Sequence, residues 1–432
     1  LSFERLFLYC SVKLIAKLYL IFLSLTPYVP SFNTIDNNVV EWFYLSLLNI
    51  VFLVLLIYFG KSKIFQIKSK IFFSFLVFFL LAFISSFFAL NQTESFVRLS
   101  DIGVILISLY LVYFFIKNEL ISFKFLIHII SFTLIIDLVG TVYNYIYFFS
   151  DRLYDFNSAS VIKGFYSNKN ITAVAIGLKI PILLILLNYY NKKFIKILFI
   201  CVASVSFITL YLLSARALFL SYIVSISIVF FLILYRIIKY DENFFSSFKP
   251  FFPLFISIVI GYLVFNNLNT AENLGIDSRF ETVVAGIEDE SINQRVTFYG
   301  HAIESISNNF FFGVGLGNWK IYSVKYWANE MPSYVVPKHV HNDFLEIFAE
   351  TGFFGFTAYF LFFLFIIIKL TSIFVNTLNL NQPILNSLIL LPFVIIFIDT
   401  NLNFPLDRPA IQAYFIICIA ILETFIKENI NE

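Results

Sequence analysis

Long apolar runs separated by shorter polar segments make up most of this chain. A helix needs about 20 apolar residues to cross a bilayer, and by that rule the pattern predicts about twelve transmembrane helices. The predicted spans are 12–31, 43–60, 71–90, 99–116, 124–149, 170–188, 194–212, 216–238, 250–267, 341–369, 384–400 and 408–426. The pattern therefore predicts an all-α polytopic membrane protein.

One long polar segment interrupts this alternation, at residues 266–340. It is too long for a simple connector, and residues 292–307 within it place apolar side chains at helical spacing. We expect an amphipathic helix there, with a tight turn at 313–317. The chain then divides into nine spans at 1–265, the large loop at 266–340, and three spans at 341–432.

Basic residues mark alternate loops. Lysine and arginine are concentrated at 61–70, 192–196 and 236–249, and cytoplasmic loops carry an excess of these residues. With twelve spans, both termini are then predicted to be cytoplasmic, and the large loop is predicted to lie on the opposite face.

Composition supports the membrane class. Hydrophobic residues make up 60% of the chain and charged residues only 13%, whereas soluble domains carry about 25% charged residues. A net charge of +2 gives no reason to expect a nucleic-acid partner. The three cysteines lie far apart in apolar segments and predict no disulfide framework. The sequence contains no phosphate-binding loop or dinucleotide fingerprint, so we expect no nucleotide cofactor.

Candidate chemistry is concentrated where the tenth predicted span begins. His341, Asn342 and Asp343 precede a long apolar run. Histidine titrates near neutral pH and can act as a general base, while Asn342 and Asp343 are expected to cap the helix. From the residues alone, His341 is either a base or a capping and interface residue.

Two acids follow on this helix. Glu346 and Glu350 share a face, and acids within a bilayer helix need a cavity or a partner. They are expected to orient His341, to bind sugar hydroxyls or to pair with an arginine. His339 and His341 also suggest a metal site that His301 or either acid would complete. Because nothing in the sequence fixes their proximity, we predict no metal.

Isolated cations form a second group of candidates. Arg216 lies between two long apolar runs, where a guanidinium would bind phosphate oxygens or lipid headgroups. Asp399 and Asp407 are expected to pair with outer-face cations, and Asn170 is either a helix cap or a substrate contact. The further cations predicted on this face are Lys169, Arg279, Arg295 and Arg408.

Four motifs together resemble a known family. His341-Asn342, nine residues and then Gly352 match the His-[Asn/Ser/Gln]-x9-Gly pattern of the O-antigen ligases. Three further stretches resemble the wider ligase and polymerase superfamily in the same order, which extends the likeness over roughly residues 160–370. They are Gly164 to Asn170, Ser214-Ala215-Arg216, and Arg295 with the Gly313–Asn318 turn. One departure is Phe356, where the ligases often have Asn, Thr or Tyr.

The resemblance implies a metal-independent glycosyltransferase of the GT-C type in the bacterial inner membrane, with a periplasmic active site. The donor would be a glycan on undecaprenyl diphosphate. By carry-over, His341 would be the base, and Arg216 and Arg295 would hold the diphosphate. The remaining residues expected to contact substrate are Asn342, Asn170, Lys169, Glu346, Glu350 and Arg408.

The acceptor stays open among three kinds. We expect the lipid A-core of a ligase first, with a polymerase that joins lipid-linked repeats and a protein O-oligosaccharyltransferase as alternatives. A polysaccharide transporter or flippase is the alternative from outside the enzymes. It predicts paired halves with broken helices near the midplane, and the sequence contains no internal repeat of that kind.

Overall fold

A computed structural model describes residues 3–60, 68–154, 156–268, 290–328, 336–379 and 383–429. Within these ranges the regular elements are all helices. The α-helices are α1 (Phe3–Ser24), α2 (Asn37–Gly60), α3 (Lys70–Ser86), α4 (Gln92–Lys117), α5 (Phe123–Phe149), α6 (Lys169–Ile185), α7 (Lys193–Leu213), α8 (Arg216–Tyr240), α9 (Phe244–Phe248), α10 (Phe252–Asn266), α11 (Glu290–Asn308), α12 (Trp319–Trp327), α13 (Asp343–Leu378), α14 (Leu390–Leu402) and α15 (Pro409–Asn429). Six short 3-10 segments join them.

The structure confirms the prediction of a polytopic helical membrane protein but not the count of twelve spans. In the part of the chain that the structure describes, ten helical stretches are long and apolar enough to cross a membrane. Helix α3, at 17 residues, is shorter. Helix α1 ends at Ser24, before the predicted end of the first span. A 3-10 turn at Thr26–Tyr28 follows it, and Pro27 in that turn lacks the N–H that a continuing helix would use.

Two spans form the centre of the bundle. Of the apolar stretches at Lys169–Asn188 and Pro409–Asn429, 94% and 89% are buried, compared with 28% at Phe244–Asn266. The central span α15 packs against α1, α2, α4, α5, α6 and α14. The outer helices instead expose apolar side chains, as lipid-facing surfaces do.

A fully buried ion pair ties the centre together. Lys179 of α6 contacts Asp137 of α5, and neither side chain is exposed. The hydroxyls of Tyr28 and Tyr166 donate to the same carboxylate at 2.7 and 3.0 Å, and the Lys179 ammonium lies 3.6 Å from the centre of the Tyr414 ring. Buried charges are tolerated where such partners satisfy them, so this cluster fixes α5, α6 and α15 relative to one another.

The large polar segment follows its prediction where it is described. Helix α11 covers the amphipathic stretch, and Gly313, Gly315 and Gly317 adopt φ values of +67°, +98° and +71°. These left-handed conformations are open to glycine and avoided by most other residues. A helix and a tight turn therefore occupy these two stretches, whereas Arg279 lies outside the described residues.

The prediction of one continuous tenth span was wrong. Helix α13 is broken at Gly352, which has φ +69° and ψ −171°, and the chain folds back on itself there. The ring of Phe344 consequently lies 5.3 Å from that of Phe363, and Phe348 stacks on Phe356 at 4.6 Å. Residues 343–351 and 353–378 therefore form a helical hairpin. Gly352 permits the turn between them, because only glycine adopts this conformation without strain.

Candidate functional site

The His-Asn-x9-Gly motif has a simple geometric meaning in this structure. The side chain of Asn342 accepts a hydrogen bond from the Leu345 N–H at 3.1 Å and begins the short helix, which confirms the predicted cap. Gly352 ends the helix. The nine residues between them form the short segment of the hairpin, so the motif sets the distance from His341 to the turn.

The glycine-rich turn holds the other end of that segment. The N–H groups of Val314 and Gly315 donate to the carbonyls of Ala349 and Glu350 at 2.9 and 2.8 Å. They satisfy carbonyls that a helix end leaves without partners. A Cβ atom on Gly352 would meet the Phe311 carbonyl oxygen at 2.3 Å. The close approach of the two backbones explains why glycine is needed on both sides.

Asp343 does not cap the helix, contrary to the prediction. Its carboxylate is buried and accepts the Leu406 N–H at 3.0 Å. Leu406 belongs to the segment that joins α14 to α15. Asp343 therefore fixes the helix start against this segment, which also contains Asp407 and Arg408.

His341 lies in a partly closed aromatic site. Its ring is parallel to Phe298 of α11, with centroids 6.4 Å apart, and edge-on to Phe404 at 5.1 Å. Its φ is +63°, a left-handed value that costs about 1–3 kcal/mol and is found at functional sites. Nδ1 is buried and has no hydrogen-bond partner among the described residues, so its hydrogen-bonding capacity is unsatisfied there.

Burial and neighbouring cations keep His341 uncharged. Burial lowers the pKa of His341, and the positive charges of Arg295, His339 and Arg408 add to that effect, which brings the pKa to about 4. The imidazole is therefore neutral at pH 7, the form in which it can accept a proton.

Arg408 presents unused hydrogen-bond donors beside this histidine. The side chain is 3% exposed, and Nε and one terminal nitrogen have no hydrogen-bond partner in the described part of the chain. The carboxylate of Asp399 lies 3.8 Å from that nitrogen, which confirms the predicted pairing of Asp399 with a cation. The guanidinium also lies 4.3 Å from the centre of the Phe404 ring. A buried guanidinium with free donors is suited to bind an anionic group.

Arg295 belongs to the same cluster rather than to an ordinary surface. It lies on α11 three residues before Phe298, and its charge acts on His341, Asp399 and Arg408. Two of the predicted cations, Arg295 and Arg408, are thus brought together with His341.

His339 has a different environment from the one the sequence suggested. Its Nδ1 lies 3.1 Å from a Glu346 oxygen, and its Nε2 lies 3.0 Å from an Asp407 oxygen. The other Asp407 oxygen contacts Arg98 of α4. Although burial opposes the charge, Glu346 and Asp407 raise the pKa of His339 to about 9. His339 is therefore a cation at neutral pH, held between two carboxylates.

The metal hypothesis takes a different form here. Donor atoms of His339, Glu346 and Asp407 lie within 4.8 Å of one another, but His341 is not in this group. His301 instead packs against Tyr326 and Trp327. Because both nitrogens of His339 face carboxylates, the arrangement is explained as an ion-pair network.

The two acids of the hairpin have separate partners. Besides His339, Glu346 accepts the Val340 N–H at 2.8 Å. Glu350 accepts the Trp319 N–H at 2.9 Å and so holds α12 against the hairpin. Both side chains are buried, and their contact with substrate stays a prediction.

Three further candidates remain predictions as well. Arg216 is exposed at the first residue of α8. Lys169 and Asn170 begin α6, but the cap of that helix is Asn168, whose side chain accepts the Asn170 N–H at 2.7 Å. Of the two alternatives for Asn170, the helix cap is therefore excluded, and contact with substrate stays a prediction.

Sequence reasoning missed Arg98 and Phe404. No local pattern in the sequence connects Arg98 with Asp407. Phe404 is one of 59 phenylalanines, and its contacts with both histidines and Arg408 depend on the tertiary structure. The signal for Asp407 was its place beside Arg408 in a polar segment between two spans.

These features define a multi-pass helical membrane protein. Its charged site is formed by α11, the residues that begin α13 and the segment between α14 and α15. Residues 199–360 match the family model described as O-antigen ligase. The match confirms the resemblance to the O-antigen ligase and polymerase superfamily, and it supports a glycan transferase that uses a lipid-linked glycan and a glycan acceptor. A search of curated proteins gave no match.

The matched residues include Arg216, Arg295 and His341 and end just beyond the hairpin turn. Arg98, Asp407 and Arg408 lie outside them. The family match therefore covers part of the site only. Arg295 and His341 lie within the matched residues, whereas the rest of the cluster comes from other parts of the chain.

Proposed function

We propose that this protein is an O-antigen ligase that transfers a glycan from undecaprenyl diphosphate to a hydroxyl of lipid A-core on the periplasmic face. The observation that carries the proposal is His341, whose Nδ1 has no hydrogen-bond partner in the described part of the chain and whose ring is subject to the charges of Arg295 and Arg408. A base for a hydroxyl and cations for a diphosphate are the two requirements of this transfer.

The reaction is an inverting displacement. The acceptor oxygen attacks the anomeric carbon while the bond from that carbon to the diphosphate oxygen breaks. The electron pair of the broken bond stays on the diphosphate, and His341 takes the proton of the acceptor hydroxyl. Attack from the face opposite the leaving group inverts the anomeric centre, and no redox partner is required.

The arginines would act on the leaving group. Negative charge grows on the diphosphate as the bond breaks, and cations fixed in a buried site stabilise that change most. The free donors of Arg408 and the nearby charge of Arg295 favour this role. Arg216, on the first turn of α8, would meet the diphosphate at the outer side.

An apolar groove leads away from the site and would hold the lipid tail. It has a volume of about 550 Å³, within the range of about 300–1,000 Å³ for ligand pockets. Phe363 and Phe397 line it, and both contact Phe344, next to Asp343 at the helix start. The groove also follows one face of α8 through Leu220, Val224 and Ile228, beginning one turn from Arg216.

The test is complementation of a deletion strain. The wild-type gene should restore glycan on lipid A-core, whereas His341→Gln should leave it unattached and accumulate lipid-linked polymer. His301→Gln changes a histidine of the same polar segment and should behave as wild type. Single capped repeats in the deletion strain would indicate a polymerase, and unchanged ligation by His341→Gln would remove this residue from the chemistry.

A further inference from the structure

We infer that His339 is a positioning residue of this site, a fixed cation that joins the helical hairpin to the α14–α15 segment and disfavours protonation of His341. Its effect on transfer rests on the proposed function. Its effect on the charge of His341 does not.

The first part of the inference is mechanical. His339 lies between Glu346 of the hairpin and Asp407 of the 3-10 turn before α15. Asp407 is held in turn by Arg98 of α4. The two nitrogens of this imidazole thus both face carboxylates, one from the hairpin and one from the turn before α15, and Asp407 extends the network to α4. A cation can satisfy both acids at once, whereas a neutral imidazole donates only one hydrogen bond.

The second part connects His339 with His341. Glu346 also accepts the N–H of Val340, the residue between the two histidines, and Val340 is fully buried. The ring of His339 stacks on Phe404 at 4.0 Å, and the edge-on contact of His341 is with the same ring. Displacement of His339 would therefore shift both the backbone next to His341 and the Phe404 ring that His341 contacts.

The third part is electrostatic, and it depends on every charge around the two rings. His339 faces the carboxylates of Glu346 and Asp407, while the charges that act on His341 are all positive. Loss of the His339 cation would make protonation of His341 easier. The charged groups of the surrounding elements are Arg98 and Asp101 of α4, Arg295 of α11, Lys320 of α12, Asp343 and Glu350 of α13, Asp399 of α14, and Arg408.

The experiment measures the charge of His341 without using activity. Diethyl pyrocarbonate acylates neutral imidazole and spares imidazolium, so the rate of His341 modification, followed by mass spectrometry from pH 3.5 to 7, reports its protonation. The purified full-length chain is used in detergent, with size-exclusion profiles at each pH to confirm that it stays folded. The variants are His339→Gln, His339→Lys and the control His301→Gln.

We expect His339→Gln to slow His341 modification at pH 4.5 by about threefold relative to wild type, with little change at pH 7. His339→Lys should restore the wild-type profile, since it returns a cation between the two acids. His301→Gln should match wild type. An unchanged profile in His339→Gln would overturn the inference, as would an equal shift in the glutamine and lysine variants.

A chelator and a transfer assay complete the test. If EDTA alters His341 modification in the wild-type protein, a metal occupies the His339–Glu346–Asp407 group and the ion-pair assignment fails. Glycan transfer by the same proteins should fall with His339→Gln and recover with His339→Lys. If the wild-type protein transfers no glycan, the proposed function fails while the modification result still decides the role of His339.

Discussion

The rings of His339 and His341 both rest on Phe404, one stacked at 4.0 Å and the other edge-on at 5.1 Å. The two histidines are two residues apart, and at neutral pH His339 is a cation whereas His341 is uncharged. Two carboxylates surround the first, whereas burial and three cations act on the second. A single aromatic ring therefore separates a structural cation from a candidate base.

The pH dependence of transfer should show this difference. Because the pKa of His341 is lowered to about 4, the neutral form is present above that pH and is lost as pH falls through it. We expect kcat/KM in proteoliposomes to stay near its neutral value at pH 5.5 and to decline toward pH 4. A half-maximal rate near pH 6.5, the value of an ordinary histidine, would contradict the assignment.

The contribution of His339 to thermal stability should depend on pH in the alkaline range. Its pKa in the folded protein is raised to about 9, above the ordinary 6.5, so its ion pairs contribute fully below pH 6.5. The contribution is lost as pH rises through 9. The Tm difference between wild type and His339→Gln, measured in detergent, should therefore be largest at pH 6.5 and shrink by pH 9.5. A constant difference would show that the charge is not responsible.

Gly352→Ala should disrupt the hairpin. The substitution places a side chain at φ +69° and a Cβ atom 2.3 Å from the Phe311 carbonyl oxygen. With ψ −171°, this conformation lies in a region that essentially only glycine occupies. It alone costs about 1–3 kcal/mol, and the clash adds to it, so both Tm and transfer should fall.

The matched control for that variant is Gly300→Ala in α11. A Cβ atom there meets nothing within 4 Å, and alanine in a helix interior is favoured over glycine by about 0.5–1 kcal/mol. Its Tm should equal or slightly exceed that of wild type. Equal behaviour of the two alanine variants would show that the turn at Gly352 is not required.

Arg408→Lys should reduce transfer although it keeps the charge. Lysine lacks the forked donors whose free positions beside His341 suit diphosphate oxygens, and we expect a loss of about 10²-fold in kcat. Arg236→Lys is the control, because Arg236 makes its two contacts with Glu242 beyond the end of α8. Full activity in Arg408→Lys would exclude a bidentate role.

The groove can be tested by filling it. Val224→Trp places a large ring among the groove residues and should raise KM for a donor with a long polyprenyl chain. A donor analogue with a short prenyl chain should be much less affected. Val259→Trp, on an exposed position of α10, is the control. Equal KM changes for the long and short donors would show that the tail binds elsewhere.

The sequence by itself determined the features that depend on neighbouring residues. Apolar runs predict helices because each span satisfies its own backbone hydrogen bonds in lipid. The helical period of α11, the glycines of the 313–317 turn and the Asn342 cap are equally local, and the structure contains this helix, this turn and this cap. The motif order around His341 indicated the family without any coordinates.

Only the tertiary structure decided how the site is assembled. The hairpin at Gly352 depends on backbone contacts with Phe311 and Gly313, and an apolar run does not show where it folds back. Likewise, helix packing brings Arg98 to Asp407 and Asp407 to His339, and no sequence spacing predicts those contacts. Charge states follow from such neighbours and from burial, which is why the sequence could not show that one histidine is a cation and the other is neutral.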